Sequence, residues 1–318
     1  MKKFLILFLL SFVFLSKSLI AQSDFVKETV IFDIKGSDTL RIDKYYMPTD
    51  EVKPCLIFVF GGAFFTGWRD REYYTTYYEY FAKKGYVVAA IDYRLGLKRL
   101  KGKKGIPMME MLDFLESSVY MAVEDVYSAT NYILANANEW KVDPELIILS
   151  GSSAGGITVL QAEYERCNNT EIANILPSNF KYAGVISFAG AIFSKTGAPK
   201  WNSTPAPIQL FHGNSDTNVP FDKIKFGKLG LFGSEYIINQ YAKMDLPYYF
   251  HFAEFDDHSI ADTPMKNNLE EISIFIEKFV IEKQNINCNM KVSPIGKEKT
   301  KTKFKVKDYV YANFKYIL

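Results

Sequence analysis

Short, continuous apolar runs alternate with segments of helical periodicity along most of the chain. The apolar runs are Cys55–Phe60, Val87–Ile91, Leu146–Leu149, Ala183–Phe188, Ile208–Phe211 and Tyr248–Phe255. The helical patterns between and after them cover Tyr73–Lys84, Met109–Asn136, Ile157–Cys167, Ser234–Met244 and Asn267–Lys283. Such runs predict strands buried on both faces, and their alternation with helices predicts a mostly parallel sheet with helices on both faces. The sequence therefore predicts an α/β fold, preceded by a hairpin at Val26–Ile34 and Leu40–Met47.

The first 23 residues have the composition of a signal peptide. Lys2 and Lys3 precede an apolar stretch over residues 4–15, and Ala21-Gln22-Ser23 supplies the small residues of a cleavage site. The apolar stretch is shorter than the ~20 residues of a membrane-spanning helix. We therefore expect residues 1–23 to be cleaved during export to the periplasm or the medium, leaving no stable membrane span; an uncleaved anchor is the alternative.

The rest of the chain is predicted to form one domain, residues 24–283, and a basic tail, residues 284–318. The domain carries a net charge of about −7 and the tail about +6. An acidic domain lacks the basic footprint of a nucleic-acid-binding protein. Lysines alternate with uncharged residues from Lys299 to Lys307, which predicts a charged edge strand or a loose terminus. A sorting or attachment tail is the alternative.

The cysteines and histidines limit disulfide and metal chemistry. Cys55 opens a buried strand and is expected to be a core thiol. Cys167 and Cys288 are candidates for one disulfide, which their spacing leaves undecided. No CxxC pair and no cluster of His and Cys occurs, so the sequence predicts no metal site.

The pentapeptide Gly151-Ser152-Ser153-Ala154-Gly155 lies between a predicted strand and a predicted helix. Its small residues let the two elements pass closely, and its central serine occupies a strained turn above helix N–H groups. A strand, a Gly-x-Ser-x-Gly turn and a helix in this order are typical of a nucleophile elbow. Ser153 is therefore the predicted nucleophile.

The chain contains three histidines that are candidates for the general base. His212 lies at the end of an apolar strand and is expected to be a partly buried strand-end residue. His251 lies in the middle of a strand and is expected to be a packing residue. His258 follows the last predicted strand at its carboxyl end, the edge where ligands bind to an open parallel sheet. His258 is the predicted base.

The acid that orients His258 is predicted to be Asp216. It follows the strand that ends at Phe211, and it lies between Ser153 and His258 in the order nucleophile, acid, histidine. Asp256 and Asp257 are closer to the histidine in sequence, but adjacency in a loop does not bring a carboxylate onto the ring nitrogen. They remain the alternatives.

A glycine pair at Gly61-Gly62 follows the first parallel strand and supplies exposed backbone donors. The N–H groups of Gly62, Ala63 and Ala154 are predicted to form the oxyanion hole of a tetrahedral intermediate. An ordinary glycine turn is the alternative reading for the loop alone.

Taken together, these motifs resemble the esterase and lipase branch of the α/β-hydrolases, near the hormone-sensitive-lipase-like and feruloyl-esterase-like enzymes. The stretches that carry the resemblance are Phe60-Gly61-Gly62-Ala63-Phe64, Asp92-Tyr93-Arg94-Leu95, Val142-Asp143-Pro144 with the serine turn, and His212-Gly213 through Asp216 to Val219-Pro220. The resemblance implies an α/β-hydrolase fold and a carboxylic-ester hydrolase that works through a Ser-Asp-His triad and an acyl-enzyme, without a cofactor. Together with the predicted signal peptide, it leads us to expect a secreted esterase.

Two positions depart from the family pattern: Phe60 stands where the family usually has histidine, and Asp257 stands where glycine usually precedes the catalytic histidine. Aromatic residues after the glycine loop, notably Phe64 and Trp68, are candidates for substrate binding, and aromatic walls suit an aryl or sugar ring. The expected substrate is a small-molecule or carbohydrate-linked ester. A serine peptidase on the same fold and a catalytically silent binding protein are the alternatives.

Overall fold

The structure, a computed structural model, describes residues 25–296 and 298–314. The predicted signal peptide lies outside the described residues. The fold is built on a nine-stranded sheet in the order β1-β2-β4-β3-β5-β6-β8-β11-β12. The first two strands pair antiparallel and β2 pairs antiparallel with β4, whereas every later pairing in this sheet is parallel.

The strands of the large sheet are β1 Val26–Lys35, β2 Asp38–Tyr46, β3 Lys53–Val59, β4 Val87–Ile91, β5 Val142–Ser152, β6 Gly184–Phe188, β8 Ile208–Gly213, β11 Tyr248–Ala253 and β12 Asn287–Val292. A second sheet joins β7 Ala191–Ser194, β10 Leu229–Gly233 and β9 Lys223–Phe226 in that order. Every residue of β4, β6 and β8 is buried, including the polar residues Ser187, Gln209 and His212. The small sheet was not predicted, because its strands are only four or five residues long.

The α-helices are α1 Glu72–Lys83, α2 Met108–Ala135, α3 Ala137–Trp140, α4 Ala154–Asn168, α5 Ser234–Lys243, α6 Pro264–Asn267, α7 Leu269–Phe275 and α8 Val306–Phe314. A π-helical segment, Ile276–Ile281, continues α7, and short 3₁₀ segments occur at Gly96–Leu100, Glu171–Ile175 and His258–Ala261. None of the helices in the described part of the chain is both long and apolar enough to cross a lipid bilayer.

Helices cover both faces of the sheet, and consecutive residues of β5 show this directly. The hydroxyl group of Ser150 lies 2.9 Å from that of Tyr77 on α1. A Cβ on the next residue, Gly151, would lie 2.3 Å from the backbone oxygen of Gly155 on α4. Since successive strand residues point to opposite faces, α1 and α4 lie on opposite sides of the sheet. The predicted α/β architecture is therefore confirmed.

The C-terminal segment differs from the predicted tail. Residues 287–292 form β12, which pairs in parallel with β11 and ends the sheet. Of the two structures predicted for Lys299–Lys307, a charged edge strand or a loose terminus, the edge strand is wrong, because residues 298–305 form no strand and α8 begins at Val306. This segment contacts loops of the domain: Thr300 Oγ1 donates to the carbonyl of Phe255 at 3.2 Å, and Asn313 Nδ2 donates to that of Asn218 at 2.9 Å.

The structure also settles the question of a disulfide. Cys55, Cys167 and Cys288 are all free thiols. Cys55 is buried in β3, as predicted, and burial raises the pKa of its thiol. Cys167 is buried beside the Glu163–Arg166 ion pair on α4, whereas Cys288 lies on the edge strand β12. The two thiols therefore belong to separate parts of the fold and do not pair.

Candidate active site

Ser153 occupies the turn between β5 and α4. Its backbone is in the left-handed region, with φ of 53° and ψ of −114°. A non-glycine residue adopts this conformation only where its surroundings impose it. Two backbone hydrogen bonds hold Ser153 in this conformation. Its N–H donates to the carbonyl of Phe188 at 2.8 Å, and its carbonyl accepts from the N–H of Ile157. The serine is thus held above the carboxyl edge of the sheet at the start of a helix.

Ser153, His258 and Asp216 form a continuous hydrogen-bonded chain. Ser153 Oγ lies 2.7 Å from His258 Nε2, and His258 Nδ1 lies 2.6 Å from Asp216 Oδ2. The three residues come from different loops, and they meet because β8 and β11 are neighbours and both end at the same edge. The structure thus brings together the three residues that the sequence nominated. This geometry lets the histidine accept the serine proton while the carboxylate holds the ring.

Asp216 is fully buried and is held on both of its oxygens. Its Oδ1 accepts from the N–H groups of Asn218 at 2.7 Å and Val219 at 3.0 Å. Burial by itself would raise the pKa of Asp216, but the hydrogen bonds from His212 and His258 outweigh it and hold that pKa well below its usual value. The carboxylate is therefore ionised whenever the protein is folded near neutral pH, as the stabilisation of an imidazolium requires.

The loop carboxylates that were the alternatives hold other positions. Asp257 Oδ1 accepts from the N–H of Ser259 at 2.9 Å, which starts the 3₁₀ segment carrying His258. The carbonyl of Asp256 accepts from the N–H of Ser215, which ties the His258 loop to the Asp216 loop. The carboxylate that contacts His258 Nδ1 is that of Asp216.

A second histidine, His212, lies behind the acid. Its side chain is fully buried, and its Nε2 lies 3.4 Å from Asp216 Oδ2. His212 was predicted to be a partly buried residue at a strand end, and only its position four residues before Asp216 indicated a contact. His251, by contrast, packs against Phe211 and pairs with Glu271 at 2.8 Å.

The predicted oxyanion loop forms a tight, strained turn. Gly62 has a φ of 141°, and a Cβ there would lie 1.9 Å from the carbonyl oxygen of Thr66. Ala63 and Phe64 both have positive φ values, 54° and 55°. Within the described residues, the N–H groups of Gly62 and Ala63 donate to no other backbone group. Ala154 begins α4, so its N–H also has no partner within the helix.

Phe60, which replaces the usual histidine, is accommodated by aromatic packing. Its ring lies 4.4 Å from that of Tyr93, and the Tyr93 hydroxyl group donates to the Phe60 carbonyl at 3.0 Å. The next residue is also held, because the N–H of Gly61 donates to the hydroxyl of Tyr74 at 3.3 Å. Two tyrosines therefore brace the loop without an imidazole.

The two predicted substrate-binding aromatic residues differ in exposure. Phe64 is only 1% exposed and its ring packs edge-to-face on Tyr93, so its side chain belongs to the core and not to an open pocket wall. Trp68 is 54% exposed beside the oxyanion turn. The tyrosines of α1 mostly pack in the core: Tyr74, Tyr77 and Tyr78 surround the ring of Phe58.

Comparisons with known proteins give a family-model match and similar solved structures. Residues 112–195, which run from α2 through the serine turn to β7, match the BD-FAE family model. The structure is similar to that of esterase 2 from the planctomycete Thermogutta terrifontis. The apo form gives a TM-score of 0.58 at 21% identity, and the match covers 80% of this chain and 94% of that one. No curated protein matches the chain.

The chain has an α/β-hydrolase fold. The same esterase phosphonylated by cyclosarin gives a TM-score of 0.58 at 20% identity, with the same coverage, and its propionate-bound form gives 0.57 at 21%. At this identity the structural likeness establishes the fold, and it confirms the predicted fold class.

Proposed function

We propose that this α/β-hydrolase is an exported serine carboxylic-ester hydrolase that acts through an acyl-enzyme. The observation that carries the proposal is the unbroken chain Ser153–His258–Asp216, whose two contacts measure 2.7 and 2.6 Å. The expected substrate is a small-molecule or carbohydrate-linked ester.

In the acylation half-reaction, Ser153 Oγ attacks the ester carbonyl carbon and His258 Nε2 takes the serine proton. The carbonyl π electrons move onto oxygen, where the N–H groups of Gly62, Ala63 and Ala154 stabilise the charge. The C–O bond to the alcohol then breaks, and His258 gives its proton to the leaving oxygen. Asp216 stabilises the imidazolium throughout without taking its proton.

In the deacylation half-reaction, water takes the place of the alcohol. His258 removes one water proton as the water oxygen attacks the acyl carbon, and the same donors stabilise the second tetrahedral intermediate. Collapse of that intermediate breaks the bond to Ser153 Oγ, which recovers the proton from His258, and the carboxylic acid leaves. No redox step or added cofactor is needed for this sequence.

A panel of p-nitrophenyl acyl esters of different chain lengths tests the activity. The wild-type enzyme should release p-nitrophenol, and Ser153→Ala should reduce turnover to the background rate. Matching p-nitroanilides test the peptidase alternative: faster cleavage of the anilides than of the esters would favour it. Wild-type protein that turns over neither class would favour the silent binding protein.

Covalent labelling tests the acyl-enzyme separately from turnover. A phosphonate with a good leaving group should form a bond to Ser153 Oγ and lose that group, and the adduct should be found on the peptide containing residue 153 by mass spectrometry. Ser152→Ala keeps the target serine and serves as the matched control, whereas Ser153→Ala should remain unlabelled. A label on any other residue would contradict the assignment of the nucleophile.

Export is the third part of the proposal, and it rests on the composition of residues 1–23. Expression of the full chain in a Gram-negative host should yield a protein in the periplasm or medium that begins after residue 23. Intact mass and N-terminal sequencing measure this directly. A full-length protein retained in the membrane fraction would indicate an uncleaved anchor.

A further inference from the structure

We propose that His212 is a positioning residue of the catalytic site, which holds the Asp216 carboxylate from behind and so sets the orientation and proton affinity of His258. The inference rests on the proposed function. It extends the catalytic chain from three residues to five: Ser234, His212, Asp216, His258 and Ser153.

The contacts of His212 define its hydrogen-bonding state. Its Nε2 faces two acceptors, Asp216 Oδ2 at 3.4 Å and the carbonyl of Val219 at 3.3 Å, so this nitrogen must carry a hydrogen. Its Nδ1 lies 2.7 Å from Ser234 Oγ. In the neutral ring Nδ1 is an acceptor, and the serine hydroxyl group donates to it. Of the two neutral tautomers, these partners therefore fit the one that carries its hydrogen on Nε2.

The environment makes this arrangement rigid. His212, Asp216 and Ser234 are all fully buried, and the ring of Phe221 packs edge-on against His212 at 5.7 Å. A buried imidazole without partners would be costly, yet this one has both nitrogens occupied. Because the His212 side chain is fully buried, it has no surface with which to contact a substrate. Its contact with the catalytic machinery is made through Asp216.

The two imidazoles act on the same carboxylate oxygen. Asp216 Oδ2 contacts His258 Nδ1 at 2.6 Å and His212 Nε2 at 3.4 Å. A donor on His212 withdraws charge from this oxygen and fixes its direction, while its contact with Val219 anchors the turn that follows. Loss of the donor should leave more negative charge facing His258. That charge favours the imidazolium form, so the acid limb of the pH–kcat profile should move to higher pH.

Other charged or titratable groups surround the pair. Tyr309 on α8 faces Asp216 from the C-terminal segment: burial raises the pKa of its phenol, and the Asp216 carboxylate adds to the increase. Asp256 and Asp257 lie in the His258 loop, and Asp262 accepts from Ser152 at 3.1 Å. All of these are left intact by changes at His212, so they contribute equally to the wild type and the variants.

The test compares His212→Leu, which removes the donor, with His212→Gln, whose amide can place an N–H near the position of Nε2. We expect His212→Leu to lower kcat for a p-nitrophenyl ester about tenfold, at the low end for a hydrogen bond to a charged group because the contact is long and shared. KM should stay within about twofold of the wild-type value, and the acid limb of the pH–kcat profile should move to higher pH. His212→Gln should recover most of kcat and return the acid limb to its wild-type position.

His251→Asn is the matched control, since His251 is a buried histidine on the neighbouring strand that contacts Glu271 and not the triad. It should leave the pH profile unchanged. Ser234→Ala provides a second test if His212→Leu does not fold: it removes the donor to Nδ1, allows the other tautomer, and should shift the acid limb in the same direction by less.

The proposal is overturned if His212→Leu folds, keeps the wild-type kcat and leaves the acid limb of the pH–kcat profile in place. If His212→Leu does not fold, an unchanged acid limb in Ser234→Ala overturns it instead. This failure is distinct from failure of the proposed function, because ester turnover by wild type and its loss in Ser153→Ala are measured first.

Discussion

Replacing Asp216 by asparagine is the sharpest test of the catalytic chain, because the structure fixes how the amide would sit. Asp216 Oδ1 accepts from two backbone N–H groups, those of Asn218 and Val219. The amide oxygen of an asparagine should keep those bonds, so its NH₂ group must face His258 Nδ1. Nδ1 would then be an acceptor and Nε2 would carry the hydrogen, which leaves the ring unable to accept the proton of Ser153.

The expected loss of kcat in Asp216→Asn has two causes. The imidazolium loses a carboxylate partner, and two unit charges about 4 Å apart at an effective dielectric constant of about 20 interact by about 4 kcal/mol. That energy corresponds to about 10³ in rate. Selection of the wrong tautomer adds to it, so we expect kcat to fall about 10³- to 10⁴-fold, in line with a buried triad aspartate.

The assay is kcat for p-nitrophenyl ester hydrolysis between about pH 6 and 9, with the rate of Ser153→Ala subtracted. Asp222→Asn is the matched control, since Asp222 lies in the same loop, is 44% exposed, and pairs with Lys223. It should retain wild-type activity. If Asp216→Asn keeps kcat within tenfold of wild type, Asp216 is not the catalytic acid and the same change at Asp256 or Asp257 becomes decisive.

Three further predictions concern the oxyanion turn, acid stability and substrate binding. Gly62→Ala should lower kcat about 10²–10³-fold, because its Cβ would lie 1.9 Å from the Thr66 carbonyl oxygen. Gly85→Ala is the control, since Gly85 also has a positive φ but lies in open space, and it should keep the wild-type kcat. Equal kcat in the two variants would contradict the role of the turn. Because the pKa of Asp216 is depressed in the folded state, its contribution to stability is present above the ordinary pKa of about 4 and is lost as the pH falls further toward the folded value. Tm measured from pH 5 to about pH 2 should therefore fall less steeply in Asp216→Asn than in wild type, and parallel curves would refute the linkage. Trp68→Ala should raise KM several-fold for a carbohydrate-linked ester, since the exposed indole offers a stacking surface for a sugar ring. KM for p-nitrophenyl acetate should not change. An unchanged KM for both substrates would show that Trp68 does not contribute to substrate binding.

The features that the sequence determined are those set by local or repetitive patterns. Continuous apolar runs specify buried strands, since a strand covered on both faces has no polar side, and these runs correspond to β3, β4, β5, β6, β8 and β11. The serine turn is also local, because strand, small residues and helix are contiguous. Chain order then nominated Asp216 and His258, since the carboxyl ends of parallel strands share one edge.

The tertiary structure decided which distant groups meet. Sequence spacing alone left Asp256 and Asp257 as rivals to Asp216, and the pairing of β8 with β11 brings Asp216 onto His258. His212, on β8, is buried in contact with Asp216. Its apolar neighbours in the sequence did not indicate this contact. Phe64 is buried and Trp68 is exposed, although both follow the same glycine turn, so only Trp68 is placed where a substrate could contact it.

The C-terminal segment shows the limit of periodicity most clearly. The alternating lysines between Lys299 and Lys307 resemble a strand, yet the strand that completes the sheet lies earlier, at β12. A strand forms where a partner edge is available, and the free edge of β11 is reached by residues 287–292. Alternation of side chains fixes only which face each would take, whereas backbone pairing depends on what the rest of the fold leaves open.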